Sequence, residues 1–557
     1  MISMKATQHC TTPLAQRFSA SGLLRFAAPS IGMMLVIALY TVTDGIFIGR
    51  FAGADALAAL NIVYPVINLL LGLAIMLASG GSALVAKTLG EGESVHAREY
   101  FSLIVCAGTV IGLVFALAAF LLRVPLLTAL GASAHLWADC AGYLLALLPF
   151  FPFATAILIF NAFYIADGRP ACGFFVSIAS GLANALLDYV FLAQLGLGIA
   201  GAGLATGLSY LLAAAIGLVY FARFSHTLRL VRAPLRPRVL LCASYNGLSE
   251  MVTQLSVGIT TFLFNLMTFA YMGEDGVAAI SVILYAEMLL TSLLLGFTNG
   301  VAPVFSYHYG ARRGGELLRL LRLALVIIGI AGVIAYGMAC VLGAPLTALF
   351  LPQGGHVAAL TLDGFSLFSL SFLLCGFNIF TAGFFTALSN GRTSALCSLL
   401  RNLVGIAIFL FALPHFLGAR GIWLAVPASD LVALAVSLSC LRGEAMSILG
   451  TYAHRYPRLF ARTREGRAKE TPRPDTAATP PHRNGAARLH AVPREIAPHP
   501  KATGAHIVSA PVAFQEPLIH SALRLHASAL SSRRQQILSV ALATPAVCLL
   551  ERYSAST

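Results

Sequence analysis

The stretch GADALAALNIVYPVINLLLGLAIMLASGGSALVAKTLG, residues 53–90, recurs without a gap as GEDGVAAISVILYAEMLLTSLLLGFTNGVAPVFSYHYG, residues 273–310. An offset of 220 residues relates the two copies, and it also sets GAGLA (201–205) on GIWLA (421–425). The positions shared by the long pair include Gly53 and Gly273, Ala58–Ala59 and Ala278–Ala279, Gly80 and Gly300, and Gly90 and Gly310. A repeat of this length indicates that the chain contains two copies of one structural unit.

The composition is that of a membrane protein. Of the 557 residues, 58% are hydrophobic and only 10% are charged, and the mean hydropathy is +0.84. Soluble domains carry about 25% charged residues. Residues 1–25, which we assign to a cytoplasmic N-terminal segment, are polar and weakly basic and show no cleavable signal peptide. We therefore expect a chain that crosses the bilayer many times.

The net charge of +14 does not indicate a nucleic-acid partner. Most of the excess lies in the loops between apolar segments and after residue 443, which is the distribution that membrane topology produces. The ten cysteines are scattered and form no CxxC pair. Neither a zinc site nor a disulfide framework is indicated, and we expect no cofactor.

Twelve apolar segments reach the roughly 20 residues that a helix needs to cross about 30 Å of hydrocarbon. They lie near 26–48, 57–85, 101–122, 140–165, 171–194, 199–221, 240–270, 276–306, 319–342, 361–388, 394–416 and 421–441. We predict an all-α polytopic membrane protein with 12 transmembrane helices in two pseudo-symmetric six-helix lobes. The predicted parts are the N-lobe (26–222), a basic inter-lobe loop that acts as a hinge (223–239), the C-lobe (240–442) and a basic, largely disordered tail (443–557).

The basic residues of the loops predict the orientation of the chain. If the N-terminus is cytoplasmic, the opposite side holds only Arg50, Arg123 and Arg420. The cytoplasmic loops then hold Lys87, Arg98, Arg169, Arg223, Arg229, Arg232, Arg236, Arg238, Arg312, Arg313, Arg319, Arg322, Arg392 and Arg401. Both termini and the tail should therefore be cytoplasmic.

Two acidic residues interrupt the apolar segments of the first lobe and are not repeated at the equivalent positions of the second, where Glu287 and Asp430 are extra acids. Asp44 in helix 1 falls opposite Phe264, and Asp188 in helix 5 has no acidic counterpart near 408–411. A buried acid without a partner costs several kcal/mol, so it is expected only where it is used. Asn184 lies four residues before Asp188 and therefore on the same helix face.

Neutral polar groups accompany these acids. Tyr40 lies one turn before Asp44, and Asn161 in helix 4 and Thr206 in helix 6 add further oxygens. Helices of one bundle can bring such groups to a single pocket. Its carboxylate, amide and hydroxyl oxygens can hold a proton or replace the hydration shell of a hard cation such as Na⁺. Duplication alone could yield a larger structural protein, but the buried polar groups favour transport.

Transport is also favoured over catalysis. A membrane-embedded transferase would need an acidic metal-binding cluster or a catalytic histidine near the surface. The loops contain no DxxxD-like cluster, and His308 in SYHYGARR has no neighbouring acid that could be its partner. We therefore expect that the protein is not an enzyme.

The sequence resembles the multidrug and toxic compound extrusion (MATE) family of transporters over roughly residues 20–442. The matching stretches are PSIGMMLVIALYTVTDGIFIGRFAGADALAAL (29–60), NALLDYVF (184–191) and NGRTSALCSLLRNLVGIAIFLFALPHFLGARGIWLAVPASD (390–430). In members with an N-lobe site, a proline and an aspartate lie fifteen residues apart in helix 1, as Pro29 and Asp44 do here. The Asn and Asp of helix 5, the threonine of helix 6, the tyrosine of helix 1 and the asparagine of helix 4 fall on Asn184, Asp188, Thr206, Tyr40 and Asn161.

The resemblance implies a cation-coupled antiporter that exports lipophilic, cationic small molecules by alternating access between the lobes. Asp44, Asn184, Asp188 and Thr206 would bind the coupling ion, either H⁺ or Na⁺, and a Na⁺ ion would lie at Asp188, Asn184 and Thr206. Tyr40, Asn161 and Glu287 would line the substrate cavity. Helix 1 can bend at Pro29, which lacks a backbone donor. The implied protein is a functional monomer in the plasma membrane.

Some residues depart from the family pattern or leave alternatives open. Certain members use a second cation site with acids in helices 7 and 10. Glu250 could supply the first, but helix 10 offers only Asp363 at its outer end, which favours the N-lobe site. The alternative function is a flippase or exporter of a lipid-linked or other amphipathic metabolite. Such a substrate calls for a buried basic residue, and Arg401 is the nearest candidate.

Overall fold

The computed structural model describes residues 13–350 and 355–455, and this part of the chain is helical throughout, with no strand. Residues 1–12 and the tail after residue 455 lie outside the described residues, so most of the predicted disordered tail does too. The last described helix continues to Arg455, past the predicted tail boundary at 443.

Eleven of the described helices are long and apolar enough to cross a membrane. In chain order they are α1 (Ala20–Ala52), α2 (Ala54–Gly90), α3 (Ser94–Leu121), α4 (Trp137–Ala166), α5 (Pro170–Gln194), α6 (Gly198–Phe224), the helix Leu248–Gly310, α9 (Gly314–Pro345), α10 (His356–Ala387), α11 (Gly391–Leu417) and α12 (Ala419–Ile448). The helix Leu248–Gly310 has 63 residues, about three times the length that spans a bilayer. It is broken at Gly273, where φ is 63° and ψ is −154°, and we number its two arms α7 (248–272) and α8 (274–310). With this break the architecture agrees with the twelve predicted helices.

The backbone repeats the internal symmetry of the sequence. Eight of the ten described residues with positive φ fall into pairs 220 or 221 positions apart, and the members of each pair close the same turn in their own half. The pairs are Gly53 and Gly273, Gly92 and Arg312, Gly168 and Ser389, and Gly198 and Gly418. Since L-residues rarely adopt positive φ, this recurrence indicates two copies of one fold. The prediction of a duplicated, all-helical membrane protein is confirmed.

The repeated glycines lie where the two lobes meet. Gly80 of α2 packs against the backbone of Ala243 and Gly247, and its repeat partner Gly300 packs against Ala27 of α1. Subtracting the repeat offset from Gly247 gives residue 27, so these two contacts are the same contact related by pseudo-two-fold symmetry. A side chain on Gly80 would push the helices apart, because the Ala243 carbonyl already fills the space for a Cβ, and a Cβ on Gly300 would crowd Ala27 at 3.1 Å.

A second symmetric contact closes the same end of the molecule. Gly90 meets the Tyr307 carbonyl, and Gly310 meets the Lys87 carbonyl. In contrast, Gly45 of α1 and Gly258 of α7 have no neighbour within 4 Å of where a Cβ would lie. The lobes are therefore in close contact at the end of the molecule where the described chain begins, near Pro13. In the other halves of α1 and α7, Gly45 and Gly258 face open space.

Each lobe takes the beginning of the other lobe's first helix into its core. Leu23 of α1 lies in a cluster with Phe297 and Phe384 of the C-lobe. At the equivalent position of the second half, Ala243 belongs to the core of the N-lobe. This residue lies in a separate short helix, Pro237–Asn246. We had predicted one continuous helix over 240–270, which included most of it. The break follows from Gly247, which must pack against the Met76 carbonyl.

The inter-lobe segment is packed against the N-lobe over residues 225–236. Asp167, at the end of α4, accepts hydrogen bonds from the Tyr220 hydroxyl (2.6 Å), the Ser225 hydroxyl (2.8 Å) and the Leu228 N–H (3.0 Å). Burial raises the pKa of Asp167, while these three donors oppose the rise. The predicted hinge loop is thus held to the same lobe as α6.

Arginines complete this attachment. Arg98 of α3 donates to the carbonyls of His226 and Thr227, and Arg236 forms an ion pair of 3.0 Å with Glu99. Beyond Arg236 the chain enters the short helix that precedes α7. Movement between the lobes therefore has to be accommodated after residue 236 or within the helices themselves.

Candidate functional site

The acids predicted from the first lobe come together at the centre of that lobe. Asp188 of α5 is fully buried, and Asn184 one turn earlier is 2% exposed. Directly after Asp188 the helix widens into a π-helical turn, Tyr189–Gln194. Such turns often accompany functional residues, because they rotate the following side chains out of regular register. Asp44 of α1 is partly buried opposite this turn of α5.

The carboxyl groups of Asp44 and Asp188 lie within hydrogen-bonding reach of each other. Within the described part of the chain, nothing donates a hydrogen bond to either oxygen of Asp188 or to Oδ1 of Asp44. Two unit charges about 4 Å apart at a partly buried site repel each other by about 4 kcal/mol. A proton or a cation between the two carboxyl groups removes this repulsion. The pair is therefore suited to binding and releasing one positive charge.

Asn184 and Thr206 connect α5 to α6 beside this pair. The Asn184 amide nitrogen lies 3.4 Å from the Thr206 hydroxyl. One turn away, the Ser180 hydroxyl donates to the Ser209 carbonyl at 3.2 Å. These interhelical bonds fix the rotation of α5, and with it the direction in which Asp188 points. The four residues predicted to bind the coupling ion, Asp44, Asn184, Asp188 and Thr206, thus lie in one region.

Tyrosines form the wall of this region. The Tyr40 hydroxyl lies next to that of Tyr210 in α6, and both interact electrostatically with Asp44. Tyr143 of α4 is buried and close enough to interact with both Asp44 and Asp188. Tyr40 was predicted from its place one turn before Asp44. The other two were missed, although Tyr210 lies four residues after Thr206 and therefore on the same helix face, a spacing that could have identified it.

The remaining predicted residues lie elsewhere. Asn161 is buried, and its Oδ1 has no partner among the described residues; no hydrogen bond seen there joins it to the carboxyl pair. Glu287 lies in the C-lobe. At Pro29 the helix α1 continues without a break. The predicted bend at that position remains a prediction.

The C-lobe contains a buried ion pair that we did not predict. The Arg401 Nε donates to Asp430 Oδ1 at 2.8 Å, and the Arg and Asp side chains are only 14% and 1% exposed. Asn378 of α10 donates to the same carboxylate oxygen at 3.1 Å and to the Asp430 carbonyl at 2.9 Å. Arg401 lies in a π-helical turn of α11, Leu400–Val404. The equivalent helices α5 and α11 are thus both distorted near a charged residue, but at different levels.

Glu287 of α8 lies close enough to this pair to interact electrostatically with Arg401 and Asp430, without forming an ion pair within 4 Å. Its carboxylate forms no hydrogen bond with the described residues. One arginine and two acids leave this cluster with a formal excess of one negative charge. Asp363 of α10 was the candidate partner of Glu250 in a second cation site. It is half-exposed and lies 3.6 Å from Arg420, so α10 supplies no buried acid to accompany Glu250.

Comparison with known proteins agrees with this architecture. The sequence model of the MatE family matches residues 29–190 and again residues 251–410, one match for each half. The multidrug export protein MepA of Staphylococcus saprophyticus is 22% identical over 420 residues, covering 75% of this chain and 92% of that protein.

Solved structures share the fold. The crystal structure of MATE in complex with MaL6 superposes with a TM-score of 0.73 at 21% identity, covering 80% of this chain and 100% of that one. A multidrug resistance MATE family transporter of the MOP superfamily in its outward-facing conformation superposes with a TM-score of 0.72 at 22% identity, covering 79% and 98%.

Two six-helix lobes that share their fold with known transporters define a membrane transporter rather than an enzyme. The chain belongs to the MatE family, because the family model matches more than half of its length, once in each lobe.

Proposed function

We propose that this protein is a cation-coupled antiporter that exports lipophilic, cationic small molecules, and that Asp44 and Asp188 form its coupling site. The observation that carries the proposal is the contact between the carboxyl groups of buried Asp188 and partly buried Asp44, with no donor among the described residues for the oxygens of Asp188. A permanently charged pair in this place would be unstable, so it needs a bound H⁺ or Na⁺. Asn184 orients Asp188 and, with Thr206, offers further oxygens to a Na⁺ ion.

Coupling follows from alternating access to this site. In the predicted orientation, the end closed by the glycine contacts is cytoplasmic, so the arrangement supports an outward-open state. A coupling ion enters from outside and binds between the carboxyl groups while the cationic substrate leaves. The lobes then rock, the ion is released inside, and a new substrate binds. Pro29 is our candidate for the point at which α1 bends during this change.

The substrate class is inferred from charge and lining. Glu287 is a partly buried carboxylate with no hydrogen-bond or ion-pair partner among the described residues, so it can act as the counter-charge for an organic cation. Tyr64 of α2 and Tyr285 of α8 are exposed on the two lobes and interact with each other electrostatically. Aromatic faces of this kind bind lipophilic cations. The name of the relative MepA, a multidrug export protein, supports the same class.

The flippase alternative called for a basic group that is free to bind pyrophosphate. Arg401, the candidate for that role, is held by Asp430 at 2.8 Å and donates its Nη1 to Asn402 at 2.8 Å. Its positive charge is therefore compensated within the protein. This arrangement favours export of a cation over export of a lipid-linked phosphate.

Efflux from proteoliposomes tests the proposal. We expect a proton or a sodium gradient, imposed separately, to drive efflux of a fluorescent organic cation in the wild type, and Asp188→Asn to abolish that coupling. Asp275→Asn is the matched control, since it removes the same charge from an exposed position beside the break at Gly273. Gradient-driven efflux that survives in Asp188→Asn would show that the carboxyl pair does not couple transport.

Three measurements test the remaining parts of the proposal, and the first is the same efflux assay. If neither gradient moves an organic cation in the wild type, the substrate class is wrong, and a fluorescent lipid-linked sugar is the next probe. Fluorescence quenching from either side of the membrane, with a label on each terminus, tests the predicted cytoplasmic location of both. Size-exclusion chromatography with light scattering tests the predicted monomer.

A further inference from the structure

A basic cavity lies at the closed end of the molecule, outside the proposed transport site. Its volume is about 460 Å³, and it lies between the segment that precedes α1 and the turn that joins α8 to α9. Arg17 from the first segment and Arg312 and Arg313 from the turn line it, together with one acid, Glu316. The cavity therefore collects positive charge.

The charges in this cavity are only partly compensated. Glu316 lies 3.5 Å from Arg17 and 2.7 Å from Arg319, so one carboxylate is shared between two guanidinium groups. Arg313 donates to the Ala15 carbonyl at 3.2 Å. The Arg312 guanidinium is exposed and forms no hydrogen bond or ion pair with the described residues. An anion entering the cavity would thus meet guanidinium donors that are still available.

A buried histidine in the wall also lacks a partner. His308 is 1% exposed and lines the cavity. The Gln16 backbone lies beside its ring, but neither ring nitrogen reaches hydrogen-bond geometry with a described residue. A buried polar group in this state requires a partner that the described residues do not provide. The first turn of α9 begins at the same place, and the N–H groups at a helix start attract anions.

The N-lobe shows what the same turn looks like without this function. Its equivalent, at the offset of 220 residues, joins α2 to α3 and carries Glu91, Gly92 and Glu93. Gly92 adopts φ of 88°, a conformation that suits glycine, whereas the C-lobe retains Arg312 at φ of 54°. The two turns share their backbone shape and differ in charge. The arginines of the C-lobe are therefore not required by the repeated fold.

We propose that this cavity binds a phosphate group, supplied either by the headgroup of an anionic phospholipid or by a free phosphate. Guanidinium groups bind phosphate oxygens through paired hydrogen bonds, and a histidine N–H can add a third donor. The turn lies between two membrane-spanning helices, ending at Gly310 and starting at Gly314, so it lies at the level of the lipid headgroups. The ligand would tie the segment before α1 to the C-lobe.

Native mass spectrometry of the purified full-length protein tests this site. The probes are phosphatidylglycerol, phosphatidylcholine and inorganic phosphate, titrated against the wild type and against Arg312→Gln, Arg17→Gln and Arg238→Gln. Arg312 and Arg17 are exposed, so neither substitution threatens folding. Arg238 is an exposed arginine that does not line the cavity, and it is the matched control.

We expect phosphatidylglycerol to bind more tightly than phosphatidylcholine and to bind about fivefold more weakly after Arg312→Gln or Arg17→Gln, because each nearby arginine contributes a comparable factor to anion binding. Arg238→Gln should leave binding unchanged. If inorganic phosphate binds with the same dependence on Arg312 and competes with the lipid, the site stands and its ligand is a free phosphate. Equal binding of both lipids, or equal loss in all three variants, would overturn the proposal. None of these outcomes depends on the transport function.

Discussion

Removing one member of the Arg401–Asp430 pair should destabilise the C-lobe strongly. Arg401→Gln leaves a 1%-exposed carboxylate whose remaining donor is the Asn378 amide. Breaking a buried ion pair costs about 3–5 kcal/mol, because the partner charge stays buried without compensation. Asp430→Asn should cost less, about 3 kcal/mol, since the Arg401 side chain is 14% exposed and retains its bond to Asn402.

The double variant distinguishes an interaction from two independent losses. With both charges gone, no uncompensated charge remains, so Arg401→Gln/Asp430→Asn should cost about as much as one single variant. The coupling energy of the cycle is then about 3 kcal/mol. The exposed pair Arg420–Asp363, at 3.6 Å, is the control within the same lobe. Arg420→Gln should cost less than about 1 kcal/mol.

Tryptophan fluorescence can report on this lobe alone. The chain has two tryptophans, Trp137 in α4 and Trp423, which is fully buried in the C-lobe core. In a Trp137→Phe background, unfolding by SDS in mixed micelles can be followed through Trp423. If the losses in the two single variants add up in the double variant, the two side chains do not stabilise each other. A loss below about 1 kcal/mol for Arg401→Gln would show that the pair is not buried as described.

Three further substitutions test other parts of the account. Gly80→Ala places a methyl group against backbone of the opposite lobe, so transport in proteoliposomes should fall, whereas Gly258→Ala, which faces open space, should leave it unchanged. Asp167→Ala leaves three donors without their acceptor and should lower the free energy of unfolding in SDS by about 2–4 kcal/mol. The same substitution should speed the labelling of a cysteine introduced at Thr227. Unchanged labelling would argue against the docked loop. Asn184→Ala removes the bond to Thr206, so a steeper ion gradient should be needed for the same efflux; an unchanged dependence would make Asn184 purely structural.

The sequence was sufficient to predict the architecture, because membrane-spanning helices and internal repeats can both be recognised directly from the order of residues along the chain. Apolar segments of the required length marked each span, and the offset of 220 residues marked the duplication. The break at Gly273 falls between the predicted segments 240–270 and 276–306, and Gly273 and its repeat partner Gly53 both adopt positive φ. Four of the shared glycines, Gly80, Gly90, Gly300 and Gly310, lie at the interface between the lobes, where the absence of a side chain permits close helix contact.

Contacts between distant segments could not be read in the same way. Arg401 and Asp430 lie on different helices, and their pairing depends on helix rotation, which a π-helical turn changes. The docking of the inter-lobe loop depends on Asp167, an acid in a short turn that resembles any solvated residue in sequence. For the candidate site, helical spacing predicted that Asn184 and Asp188 share a face, but only the packed helices bring Asp44 to them.

The most direct test of the account is to measure whether substrate displaces a coupling ion from the Asp44–Asp188 pair. Purified protein in weakly buffered detergent solution is mixed with tetraphenylphosphonium, and proton release is followed with a pH indicator, or release of bound ²²Na⁺ by filtration. The account predicts release of one of the two ions by the wild type and by Asp275→Asn, and none by Asp188→Asn or Asp44→Asn. Equal release by all four proteins would contradict it, because the ion would then be bound elsewhere.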